Sequence, residues 1–492
     1  MPKDNKKPKF RLLSAVFATV CIILVGDAVA PTASIGNSQY FWWAIMLLGF
    51  FVPYGLISAE LGTQYPSEGG MYTWVKKAFG KKWAGRVAWY YWVNFPLWVA
   101  SLASLVTTIL AQIVVQLSGN PDFVMNWGIV LAIQVFYILL VSILGVLRIS
   151  QSAWLSNLGA IAKFVFMAGL GVLGIYVLIS TGQSANPIES WTDLMPLMEN
   201  GHFSLAGLGF VSLIIFNMLG FEVVSTFSDD MENPKKEIPK AIILGGILIA
   251  VFYLLPSFGI GVAIPVSELS TDSGLLDSYS QLMSIAGFGV GLVNAITVVV
   301  GGLFIYTLVA NIASWNFGVN SVIAYAAEDG TFPKSWAKRN KAGVPYVPSI
   351  WTGVVALVIA IAGIIVQQFI PSFENLFWTF FSLSLVTLLL SYLPMFMAFL
   401  KLHKQGKASE KGYWINGGKF KIGVFGIVPF VLLLVALFFT LFPEFNVEMF
   451  EYNWPLIVGA CIAVLAGEVL VWNMGRKDQK AVTTKREVTN EN

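Results

Sequence analysis

The stretch Leu24–Gly36, LVGDAVAPTASIG, sets a carboxylate, Asp27, inside an otherwise apolar run. A charge at the centre of a bilayer costs about 3 kcal/mol or more, so this residue demands a physical reason. Gly26 precedes it and Pro31 follows it. Glycine weakens a helix and proline removes one of its hydrogen bonds; broken helices survive at membrane depth only where the freed backbone groups meet protein, water or a ligand. Two readings stand. One is a proline kink with Asp27 bonded to a neighbouring helix. The other is a discontinuous helix whose amides around 33–36 and carbonyls around 26–30 line a site, which makes Asp27, Ala30, Ala33, Ser34, Ile35 and Gly36 substrate-binding candidates.

The setting is a membrane. Of 492 residues, 57% are hydrophobic and 12% charged, about half the charged share of a soluble domain, and the mean hydropathy is +0.73. Apolar stretches of about 20 residues, enough to cross a hydrocarbon core, run at 11–36, 39–64, 84–116, 124–146, 156–180, 204–227, 239–264, 281–315, 347–369, 373–400, 420–442 and 452–474. Twelve transmembrane helices are expected. The positive charges then alternate: Lys3 to Arg11 precede the first span, Lys76 to Arg86 follow the second, Arg148 the fourth, Lys235 to Lys240 the sixth, Lys334 to Lys341 the eighth, and further groups follow the tenth and twelfth. The loops at 181–203 and 265–280 carry no Lys or Arg. This is the positive-inside pattern, and it predicts a multi-pass plasma-membrane (inner-membrane) protein with both termini in the cytoplasm.

Of the 30 basic residues only Lys163 escapes that assignment, because it lies within the fifth span. The segment 71–80 reads as an amphipathic piece along the inner interface. Cys21 and Cys461 sit in apolar runs, and His202 and His403 are far apart in stretches read as loops, so no disulfide framework, metal site or cofactor is expected. The charge is not gathered into a nucleic-acid surface.

The sixth span carries a feature matching the first: Phe216, Asn217, Gly220 and Glu222, a second glycine beside a second intramembrane carboxylate. Breaks five spans apart are what an inverted-repeat transporter produces, since corresponding helices of the two halves meet at the midplane. The fold class expected is therefore an all-α polytopic membrane protein: a 5+5 inverted repeat of the leucine-transporter kind plus two C-terminal helices. Residues 1–10 form a cytoplasmic tail, 11–180 the first repeat, 204–400 the second, 420–474 the two closing spans and 475–492 a second tail.

Several stretches together resemble the amino acid-polyamine-organocation family of secondary transporters. Residues 53–63, PYGLISAELGT, with 65–75, YPSEGGMYTWV, are similar to its second-helix signature. Gly220-Phe221-Glu222 with Glu232-Asn233-Pro234 and Ile238-Pro239-Lys240-Ala241 is similar to its sixth-helix signature, and 325–333, YAAEDGTFP, to the loop after its eighth helix. The resemblance covers about 10–475. It implies that Glu222 couples substrate movement to a proton or to conformational change, that Phe216 closes over bound substrate, and that the Lys163 ammonium replaces a sodium ion and braces the first helix. Gly220 belongs to the sixth-helix break, and Tyr90, Tyr91, Trp92, Trp98, Trp315, Phe377 and Trp378 are candidate site walls. Two departures stand out: 32–36 read TASIG where many members carry a Gly-Ser/Ala-Gly run, and Asn320 lies where relatives often carry arginine. Residues 161–163 and 341–345 resemble the glutamate/4-aminobutyrate antiporters, whereas the acidic first helix resembles polyamine carriers.

A carboxylate in an apolar site either titrates or pairs with a cation. If substrate supplies the cation, the ligand is an amine, a diamine or a cationic amino acid. If Lys163 or a proton answers Asp27, a neutral or acidic amino acid held by helix-end dipoles fits. Alternating access is the expected mechanism, by exchange or by proton symport through Glu222. The motifs of membrane enzymes, such as His-Glu-x-x-His and Gly-x-Ser-x-Gly, do not occur in the sequence; a nutrient sensor on the same fold would bind ligand without net flux.

Overall fold

A computed structural model describes residues 23–147, 153–199, 202–205, 208–209, 211–220, 234–369, 375–406, 412–442 and 453–473. Apart from a hairpin pairing β1 (Met198–Glu199) with β2 (His202–Phe203), these residues form helices and their connections. In chain order the helices are α1 (Val29–Ala33), α2 (Gly36–Gln64), α3 (Met71–Phe79), α4 (Lys81–Ser118), α5 (Trp127–Val146), α6 (Ala153–Thr181), α7 (Val211–Phe216) and α8 (Pro234–Ala263). They continue with α9 (Gly274–Ile285), α10 (Val290–Glu328), α11 (Tyr346–Gln367), α12 (Leu376–Gln405), α13 (Lys419–Leu441) and α14 (Asn453–Asn473).

Among the described residues ten helices are long and apolar enough to cross a membrane: α2, α4, α5, α6, α8 and α10 to α14. Each matches an expected span. The first and sixth expected spans fall partly on 11–22 and 221–227, outside the described residues. One boundary moves. The eighth span, expected at 281–315, is α10 at Val290–Glu328, and α9 before it is a separate short helix. Gly287, at φ +79°, breaks the chain between the two. At the other end Asn316 and Asn320 extend the helix because their amides are satisfied: Ser349 Oγ donates to Asn316 Oδ1 at 2.9 Å and Trp92 Nε1 to Asn320 Oδ1 at 3.1 Å. His403, expected in a loop, closes the last turn of α12, with Nδ1 2.7 Å from the buried Glu60 carboxylate.

The bundle is apolar outside as well as inside. Phe136, Ile143, Ile179, Val299, Val358 and Leu465 point away from it, which suits helices solvated by lipid rather than water. With little hydrophobic force between helices in lipid, close packing of small residues holds them together. α6 runs along α8, α4 along α10 and α12, and α5 along α11. The α6–α8 crossing is backbone on backbone: a Cβ at Gly259 would lie 2.5 Å from the Leu170 carbonyl oxygen, and one at Gly174 2.6 Å from the Gly259 Cα. Between spans, Lys76 at the end of α3 pairs with Asp329 at 2.6 Å, and Tyr72 donates to the same carboxylate. Burial pushes the Asp329 carboxyl up, but Lys76 and Tyr72 outweigh it and hold it below the usual carboxylate range. The pair therefore contributes above about pH 4 and is lost only as the pH falls through that lowered value.

Gly259→Val tests the α6–α8 contact. Overpacking against unyielding backbone costs about 1–3 kcal/mol, so the variant's unfolding midpoint in detergent should drop by several degrees; an unchanged midpoint contradicts the crossing.

Candidate functional site

Ile23 is the last helical residue before the first break. Val25 is extended, at φ −130° and ψ 129°, and Gly26–Ala28 form one tight turn before α1. An interruption of this kind leaves backbone groups without helical partners. Tyr253, fully buried on α8, takes up two of them: its hydroxyl accepts from the Val25 amide at 2.9 Å and donates to the Ile23 carbonyl at 3.5 Å. The break thus precedes Asp27, whereas the sequence pattern set open amides at 33–36. Those amides are not open, since Ser34 N donates to Ala30 O and Ile35 N to Thr32 O. Pro31 explains the shift. It falls in the first turn of α1, where an amide would have no partner within the helix, so it starts a half-helix rather than ending one.

The second break begins where α7 ends at Phe216. Met218 and Leu219 donate to the carbonyls three residues back, and Gly220 turns the chain at φ +97° while its amide donates to the Tyr54 hydroxyl at 3.1 Å. Only glycine adopts that backbone readily. The two breaks are tied directly: Asn217 Nδ2 donates to Thr32 Oγ1 at 3.1 Å, and Thr32 Oγ1 in turn donates to the Ala28 carbonyl at 2.6 Å. Glu222 lies outside the described residues.

Asp27 sits beside this junction, 2% exposed. Its Oδ2 accepts from the Trp98 indole Nε1 at 2.9 Å, and its Oδ1 has no hydrogen-bond partner. The Lys163 ammonium donates to Asn311 Oδ1 at 2.9 Å and acts on the Asp27 charge through space. Tyr137, buried within reach of the same charge, also has an unpartnered hydroxyl.

A small cavity adjoins both breaks. It encloses about 30 Å³, room for a water or two, and its wall includes Val25, Tyr91, Trp98, Phe216, Trp315 and Tyr392. Trp98 meets Phe216 and Trp315 edge to face at 5.8 and 6.2 Å, and Phe216 meets Phe381 at 5.4 Å. Phe377 and Trp378 join this aromatic layer through Phe381, at one remove from the cavity. Tyr90 points elsewhere, and its neighbour Tyr91 takes the place on the wall. Gly220 packs under Trp315, where a Cβ would come within 2.8 Å of the indole. Ala30 and Ala33 are buried on α1, and Ser34, Ile35 and Gly36 line a separate vestibule of about 550 Å³ with Asn186 and Val266. The sequence reading missed Tyr253, Tyr54, Thr32 and Asn311, and it passed over Asn217 as a ligand of the first helix.

Helices that give up backbone hydrogen bonds to surround a carboxylate at bilayer depth are the architecture of a solute carrier. The chain belongs to the amino acid permease family, whose profile matches residues 10–466. Among its relatives, a probable agmatine/putrescine antiporter of Lactococcus lactis is 40% identical over 95% of this chain and 96% of that protein. A glutamate/gamma-aminobutyrate antiporter of the same species is 23% identical, covering 85% and 82% of the two chains, and a probable polyamine transporter of Arabidopsis thaliana 25%, covering 79% and 72%. The fold is similar to that of a manganese transporter from Eremococcus coleocola, with a TM-score of 0.58 at 13% identity over 98% of this chain and 97% of that one. The protein is accordingly a multi-pass membrane transporter.

Tyr253→Phe isolates the first break. A buried backbone group left without its partner costs about 1–3 kcal/mol, so thermal stability in detergent should fall although shape and apolar area are kept. Retention of the parent midpoint would show that the hydroxyl does not hold the break.

Proposed function

We propose that the protein exchanges cationic amines, diamines or guanidino-amines, across the plasma membrane by alternating access. The observation that carries this reading is Asp27: a buried carboxylate beside an aromatic cavity, with one oxygen unanswered and the other held by a neutral indole. Lys163 donates a hydrogen bond to Asn311 and its charge also acts on Asp27, while Oδ1 keeps no hydrogen-bond partner of its own; this supports a substrate cation on that oxygen. One ammonium of the ligand sits on Asp27, and the faces of Trp98, Phe216 and Trp315 receive the alkyl chain and the second charge; each cation–π contact contributes about 0.5–2 kcal/mol. The names of the relatives, agmatine/putrescine antiporter and polyamine transporter, agree with such ligands.

Within this proposal the chain crosses the membrane twelve times with both termini in the cytoplasm, 11–180 and 204–400 form the inverted repeats, and 420–474 complete the bundle. The segments of the two breaks rock against the remainder while Phe216 covers the ligand. Lys163 takes the place of a sodium ion and braces the first helix. Glu222 couples movement to a proton or to the exchange partner.

Asp27→Asn keeps the shape and removes the charge. Losing one partner of a buried ion pair costs about 2–5 kcal/mol, so kcat/KM for putrescine in proteoliposome uptake should fall about 30-fold or more, with uptake of neutral amino acids unaffected. Equal losses for cationic and neutral substrates would refute direct pairing.

A further inference from the structure

We propose that Trp98 is the positioning residue that couples arrival of the substrate's charge to opening of the aromatic layer, its indole N–H occupying Asp27 whenever substrate does not. This rests on the cationic-amine reading above. The geometry sets up a competition. Trp98 forms part of the cavity wall, whereas Asp27 does not, and the carboxylate is 2% exposed behind it. A cation in the cavity therefore reaches Asp27 only after the indole moves. That movement breaks the Nε1 bond to Oδ2 and also the edge contacts of the same ring with Phe216 and Trp315. Release of the carboxylate and loosening of the layer are one event because a single side chain makes all three contacts.

The backbone beneath Trp98 suits such a motion. Pro96, two residues earlier within α4, has no amide to give the Trp92 carbonyl, so the helix is weakened there. Asn94 Nδ2 donates to the Tyr91 carbonyl and Ser101 Oγ to the Trp98 carbonyl, at 2.7 Å for the latter, both alongside the helix's own bonds. In the unloaded carrier the indole returns to Asp27 and the layer shuts. The empty site is then held in one arrangement, and a second substrate must displace the indole again before the carrier moves. Exchange follows from this competition for Asp27.

Trp98→Phe removes the N–H and keeps an aromatic ring. The probe is putrescine, loaded into proteoliposomes containing the full-length protein, with efflux compared in buffer with and without external putrescine. The inference predicts that the ratio of uncompensated efflux to exchange rises about tenfold in Trp98→Phe and that the KM for putrescine falls several-fold, because Asp27 no longer has to be released. Structural damage alone raises KM, so the fall separates the two explanations. A variant with the parent ratio and parent KM overturns the inference. Should Trp98→Phe carry out neither efflux nor exchange, putrescine-induced thermal stabilisation decides: a larger shift than the parent protein's supports it, and an equal or smaller shift overturns it. Asp27→Asn measured in parallel separates the two levels. Loss of amine preference there with an unchanged ratio in Trp98→Phe removes the indole competition alone, whereas amine preference surviving in Asp27→Asn removes the reading beneath it.

Discussion

Asp27 meets the surrounding bundle through one hydrogen bond, from the Trp98 indole, and leaves its second oxygen without one. An ion taken out of water with one oxygen left without a hydrogen bond is incompletely compensated, and the neighbouring structure is organised around that deficit. The aromatic layer walls the carboxylate off from the cavity, Lys163 is fixed by Asn311 where its field still reaches Asp27, and the helix is interrupted just before the charge. A cationic ligand completes the arrangement chemically. In its absence the Trp98 indole holds Oδ2.

The interruption carries its own cost, which is met by side chains from distant parts of the chain. Tyr253 serves the amide and carbonyl on either side of the first break, Tyr54 serves the amide of Gly220 at the second, and Asn217 joins the two through Thr32. Because one hydrogen bond links the breaks, displacement of either is felt by the other. The α6–α8 crossing at Gly174 and Gly259 and the Lys76–Asp329 pair contribute stability elsewhere, away from this hinge of polar contacts.

Much of this was legible in the residues. Span positions followed from hydropathy, and the carboxylate beside Gly26 and Pro31 pointed to a break in the first span, although the break precedes Asp27 and the amides at 34 and 35 are bonded. Trp98 and Trp315 were named as candidate walls, and Phe216 as the aromatic that closes over substrate, before their contacts were known. What escaped has physical reasons. Tyr253 and Tyr54 are ordinary aromatic residues in apolar helices, and their hydroxyls acquire meaning only through partners 228 and 166 residues away. Tyr90 and Tyr91 differ by one step of about 100° around α4, a phase that composition does not fix. Pro31 was read as the mark of a kink or of a discontinuous helix because it removes a helical hydrogen bond, yet in a first turn it is compatible with a helix. The eighth span was ended at 315, but Ser349 and Trp92 supply partners for Asn316 and Asn320 within the helix.

The central claim is that a buried negative charge selects a positively charged ligand, and ligand-induced stabilisation of the purified protein measures this most directly. A ligand that binds only the folded state raises its stability with occupancy. Agmatine and putrescine should raise the unfolding midpoint of the parent protein in detergent by several degrees in a saturable manner, while alanine, glutamate and 4-aminobutyrate leave it unmoved. Stabilisation by the zwitterionic amino acids with none by the diamines would contradict the account.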